Sequence, residues 1–68
     1  MNFTIEIDRE EDGRFIAEVI DLPGVLVYGQ NRQEAIAKVQ ALALRVLADQ
    51  LEHQDNTSES ITISLIAA

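Results

Sequence analysis

Residues 21–35, Asp21-Leu22-Pro23-Gly24-Val25-Leu26-Val27-Tyr28-Gly29-Gln30-Asn31-Arg32-Gln33-Glu34-Ala35, hold a turn, a strand, a second turn and a helix start in one short run. Pro23 fixes its own φ and lacks the N–H that a sheet ladder needs. Gly24 tolerates the left-handed backbone of a tight reversal, so the chain must double back here. Asp21 is expected to open that reversal by bonding to its own backbone. Val25, Leu26, Val27 and Tyr28 then read as a short strand that is apolar on both faces, which implies that each face is covered. Gly29 ends it. Asn31 is a strong N-cap residue, and Glu34 stands where its carboxylate can reach back to the Asn31 amide, as in a capping box. A helix therefore starts at about Arg32.

Upstream of this joint, Phe3, Ile5 and Ile7 alternate with Thr4, Glu6 and Asp8, the period-two pattern of a strand with one dry and one wet face. Arg9-Glu10-Glu11-Asp12-Gly13 turns the chain, with Asp12-Gly13 supplying residues that accept positive φ. Phe15, Ala17 and Val19 resume the dry face while Arg14 and Glu18 point away. The first two strands form a hairpin.

Downstream, Ala35, Ile36, Val39, Leu42, Ala43, Val46 and Leu47 recur at three- and four-residue steps and make the helix stripe that lies on the sheet. A narrower stripe runs through Ala37, Ala41, Leu44, Ala48 and Leu51. One sheet cannot contact both stripes, so the second is the candidate surface for self-association. The helix should fray near His53, and residues 54–60 read as a polar connector. Ile61, Ile63 and Leu65, alternating with Thr62 and Ser64, then make a fourth strand.

A three-strand meander sets the third strand parallel to the first. A right-handed helical crossover then brings the fourth strand beside the first and parallel to it. The expected fold is α+β, a single domain over residues 1–68: a four-stranded mixed sheet in the spatial order 3-2-1-4 with one long helix on one face. On the other face Ile16, Ile20, Leu26 and Tyr28, joined by Ile66, gather among charged side chains as a second candidate contact surface.

A chain of 68 residues without cysteine must be stabilised without disulfides. Domains this small bury only about 60% of the surface they expose when unfolded, so association with another chain is the remaining device. Twelve acidic residues against five basic ones give a net charge of −7, which opposes approach to nucleic acid and suits a basic protein partner. The alternation from Phe3 onward leaves no room for a signal peptide, and Lys38, Arg45 and Asp49 interrupt the helix too often for a membrane span. A cytoplasmic location is expected.

No reading of the residues yields a catalytic, metal or cofactor site. Asp8, Asp21 and Glu34 are the carboxylates at element ends where metal-site convergence is conceivable, and each has a local role in a turn or cap. Ser58, Ser60 and Ser64 lie in the connector and a strand, away from any nucleophile elbow. His53, the sole histidine, stands in the last helical turn, where its cation would favour the helix dipole. Gly29 lacks the neighbouring glycines of a phosphate loop.

In order, Glu11-Asp12-Gly13-Arg14-Phe15-Ile16-Ala17-Glu18, Asp21-Leu22-Pro23-Gly24, Tyr28-Gly29, and Glu34-Ala35 leading into an Ala/Leu-rich helix resemble the HicB-like antitoxin family, over about residues 3–52. The resemblance implies a partial ribonuclease H-like fold without the full acidic site of the true nucleases. It also implies oligomerisation as a dimer or tetramer, and neutralisation of a small HicA-like toxin that cleaves messenger RNA. Members that repress their own operators carry a further DNA-binding segment after the fourth strand. This chain stops at Ala68, so operator binding is not implied. Asp8, Glu10, Glu11, Asp12 and Glu18 are the acidic residues expected to meet Lys and Arg of a toxin. Two other readings stand beside this one: an oligomeric scaffold or small-ligand module with no toxin, and a vestigial metal-dependent nuclease whose activity would depend on Asp8.

Overall fold

The computed structural model describes residues 1–54 and 60–67. Its elements are β1 (Asn2–Arg9), β2 (Phe15–Val19), β3 (Leu26–Gly29), α1 (Arg32–Glu52) and β4 (Ser64–Ala67). The sheet order is β3-β2-β1-β4, with β2 antiparallel to both β1 and β3 and β4 parallel to β1. This is the expected α+β arrangement, reached from alternation and crossover handedness.

The first hairpin closes where Asp12-Gly13 lies. The Gly13 amide donates to the Glu10 carbonyl at 3.0 Å and the Glu10 amide to the Arg14 carbonyl at 2.7 Å. Gly13 has φ 92°, the left-handed region in which a side chain would be strained. Asp12 accepts from the Arg14 amide at 3.0 Å and from the Arg14 Nε at 2.7 Å. The amide bond first, then the guanidinium, holds the Asp12 carboxyl below its ordinary range.

The second turn is a type II reversal. The Val25 amide donates to the Leu22 carbonyl at 3.1 Å, and Gly24, third in the turn, has φ 82°. Asp21 is exposed and makes no hydrogen bond to its own backbone, contrary to expectation. Leu22 opens the turn instead. Its side chain is buried in the core and its amide bonds back to Val19 at 3.1 Å. An apolar anchor has taken the place of the polar one.

The core is Ile5, Ala17, Val19, Leu22 and Val25 against Ala35, Val39, Ala43 and Leu47 of α1. Phe3, Ile7, Phe15, Val27, Ile36, Leu42 and Val46 pack around it, so the predicted sheet-facing stripe is the observed one. Residues 48–52, at the end of α1, contain no buried side chain.

The helix start departs slightly from a capping box. Asn31 Oδ1 accepts from the Glu34 amide at 2.8 Å, as expected. The Glu34 carboxylate, however, accepts from the Gln30 amide at 3.1 Å, one residue before the predicted partner, and meets Lys38 Nζ at 3.0 Å. Replacing Asn31 with Ala should cost about 1 kcal/mol in a denaturation titration, the usual cost of a lost N-cap. The Gln30 amide, and after it Lys38, hold the Glu34 carboxyl below its ordinary value. The folded state therefore favours the ionised carboxylate. That contribution is complete above the ordinary glutamate range and fades as pH falls through the lowered folded value. Glu34→Gln should flatten the acid side of a melting-temperature profile and leave its neutral slope unchanged.

The fourth strand begins later than the alternation suggests. Ile61 is exposed and outside β4, while Ile63 and Leu65 pack on the core. The ladder sets this limit: β1 starts at Asn2, which pairs with Ser64, and the Thr62 carbonyl meets the Met1 amino group at 2.7 Å. Gln40 Nε2 reaches the Leu65 carbonyl at 3.3 Å and ties α1 to this strand. Most of the expected connector, including Ser58, lies outside the described residues, and β4 pairs with β1 of its own chain.

Candidate functional site

The sheet has one face under α1 and one open face. Register places three rows on the open face: Tyr28, Ile16 and Asp8; Leu26, Glu18 and Glu6; and Thr4 beside Ile66. Period-two alternation puts them there because their odd-numbered neighbours fill the core. Leu26 is 41%, Tyr28 43% and Ile66 64% exposed, and Ile16 is half-buried. The outer face of the third strand is therefore open in the single protomer, which leaves any cover to another chain. Val25 and Val27 pack inward, and among the described residues only the Arg14 guanidinium lies over this side of the strand, on the Tyr28 ring. Ile20, just beyond β2, is exposed as well.

Arg14 sits at the corner of this face, with its guanidinium carbon 4.6 Å from the Tyr28 ring centroid while its Nε holds Asp12. Such a stack contributes about 0.5–1 kcal/mol at an exposed site. It links the hairpin turn to β3 and gives Tyr28 a fixed pose. Of the five predicted acidic contacts, Asp8 and Glu18 lie on the open face, whereas Glu10, Glu11 and Asp12 lie at the hairpin tip beside it. Asp12 is already engaged by Arg14. The sequence reading missed Glu6, which pairs directly with Glu18 across the strands. Its place between Thr4 and Asp8 on the wet side of the alternation was the available signal.

The second candidate surface lies on the opposite layer. Ala37, Ala41, Leu44, Ala48 and Leu51 are all exposed on the side of α1 away from the sheet, with Leu44 at 49%. The two surfaces differ in charge. Residues 1–31 carry seven acidic side chains against two arginines, whereas α1 carries three of each sign.

Among the described residues, no three His, Asp or Glu side chains lie close enough together to hold a metal ion. Asp8 is on the sheet, Asp21 in the second turn and Glu34 at the helix start, so these candidates are not brought together. An open hollow lined by Met1, Leu51, Gln54, Ser60, Ile61 and Thr62 lies at the C-terminal end of α1. Among the described residues that line it there is no acidic or histidine side chain to act as a general base. No described helix is long and apolar enough to cross a membrane.

No family model matches the chain, and neither does any solved structure. A UPF0150 protein of Thermoplasma acidophilum is 28% identical over 68 residues, covering 93% of this chain and 97% of the relative. The chain is thus similar to that protein along nearly its whole length.

Proposed function

We propose that this chain is an antitoxin-like protein-binding module of the HicB-like kind, which works as a homo-oligomer in the cytoplasm. It would neutralise a small, basic, HicA-like toxin by masking the site that cleaves messenger RNA. One observation carries the reading: the motif series that resembles HicB-like antitoxins falls at the joints of the fold. Asp12-Gly13 closes the hairpin, Leu22-Pro23-Gly24 the reversal, and Gly29 with Glu34 and Ala35 the helix start. A sequence that specifies joints rather than a nucleophile is suited to holding surfaces at a set angle, which is what a masking protein needs. The full UPF0150 relative supports a shared fold and is silent on activity.

The test is RNA cleavage by the short basic protein encoded beside this gene, with and without excess purified chain. Cleavage should stop. Unchanged cleavage at excess dose would refute the proposal. The exposed hollow at the helix end favours a second reading, an oligomeric scaffold or small-ligand module without a toxin. A stable homo-oligomer whose gene has no short basic reading frame next to it would select that reading instead.

A further inference from the structure

Glu6 and Glu18 are direct partners across an antiparallel pair, and Asp8 follows two residues on along the same face. Like charges opposite each other on a sheet are destabilising. No lysine or arginine occupies a strand position on this face, and Arg14 at its corner is committed to Asp12 and Tyr28. Elsewhere the chain obeys its local rules, with glycine at its positive-φ turns, a satisfied N-cap and a dry core. A local rule broken on one exposed face of a consistent fold points to function there.

Apolar side chains flank the carboxylates: exposed Leu26 and Tyr28 with half-buried Ile16 on one side, exposed Ile66 on the other. A second copy does not fit this pattern. In a two-fold interface the same patch meets itself, so Glu6, Asp8 and Glu18 would face their own equivalents with no cation between them. A basic protein with apolar residues among its lysines and arginines does fit.

We infer that the open face of the sheet is the docking surface for a small basic protein, with Leu26, Tyr28 and Ile16 as apolar anchors and Glu6, Asp8 and Glu18 as its charge partners. The same carboxylates bar a second copy from this face. The inference rests on the proposed function only for the identity of the partner. Because the stripe on α1 lies on the other layer, one protomer can associate with a copy and hold the basic protein at once.

The first probe is a short peptide of alternating lysine and leucine, titrated into the isotopically labelled full chain. Amide shifts should concentrate at residues 4–8, 16–18 and 26–28. The double variant Glu6→Gln, Glu18→Gln should bind about tenfold more weakly while melting no lower than the parent, because it removes a repulsion. Shifts centred on the helix stripe or on the hairpin tip alone, or equal binding by the double variant, would overturn the inference. Leu26→Arg should leave self-association intact, and loss of the oligomer would show that a second copy occupies this face.

The cleavage assay separates this inference from the proposed function. A double variant that neutralises the toxin as well as the parent does would sink the docking surface and leave the antitoxin reading standing. A parent that fails to neutralise while the peptide still maps to this face would do the reverse.

Discussion

Replacing Gly29 with Ala should lower the stability of this protein by about 1–3 kcal/mol, the range for forcing a methyl group into a filled site. A methyl carbon at Gly29 would lie 2.5 Å from the Ala35 nitrogen, 2.8 Å from its Cα and 3.0 Å from its Cβ. Two of those three atoms are backbone, in the first turn of α1, and the Ala35 amide already bonds to the Asn31 carbonyl at 3.1 Å. Gly29 is held from the other side by its pairing with Phe15. Neither partner can yield without breaking the ladder or unwinding the helix start. A chain of this length has roughly 3–10 kcal/mol of total stability, so the loss is a large fraction of it. The melting temperature should fall by at least about 4 °C. Adding Ala35→Gly should not rescue the variant, because the clash is with main-chain atoms. A Gly29→Ala protein within about 0.5 kcal/mol of the parent, the spread of neutral surface changes, would show that the joint is looser than the structure has it.

Gly29 also marks where sequence reasoning runs out. Its position after a strand and before an N-cap identified a boundary, yet its backbone has no positive φ, so the need for glycine is not conformational. The need arises from the helix start pressing on the strand end, a contact that composition and spacing do not encode. Leu22 was hidden for a related reason. Flanked by Asp21 and Pro23, it carries turn signals on both sides, and its burial depends on the reversal swinging it under the helix. What alternation and helical period do encode was legible. Ile5, Ala17 and Val19 face Ala35, Val39, Ala43 and Leu47, and the crossover rule set the sheet order. Register was less so. The start of β4 depends on where β1 begins to offer partners, which made Ile61 look like a strand residue. The open face was half legible: Asp8 and Glu18 were identified as contacts, but the facing of Glu6 and Glu18 emerges only once Ile5 is seen to pair with Val19.

Leu44→Arg should convert the proposed homo-oligomer to monomers. Leu44 is 49% exposed, midway along the Ala37, Ala41, Leu44, Ala48, Leu51 stripe, on a helix whose end, residues 48–52, contains no buried side chain. Alanines at that spacing let a second helix approach closely, and the balanced charge of α1 imposes no repulsion on two copies. Burying an unpaired guanidinium in such an interface costs at least about 2 kcal/mol per copy. In a two-fold dimer the change occurs twice, so association should weaken by roughly 4 kcal/mol, or nearly a thousandfold. Light scattering should then report a monomer at concentrations where the parent is an oligomer. The melting temperature, which rises with concentration for an associating protein, should lose that dependence. The variant should still bind the lysine–leucine peptide, because its change lies on the layer opposite Leu26 and Tyr28. A parent that is itself a monodisperse monomer would remove the helix stripe as an interface. The apolar side chains of the open sheet face would then be the exposed surface still needing a partner, and the basic protein that fits them would be the whole of this chain's associations.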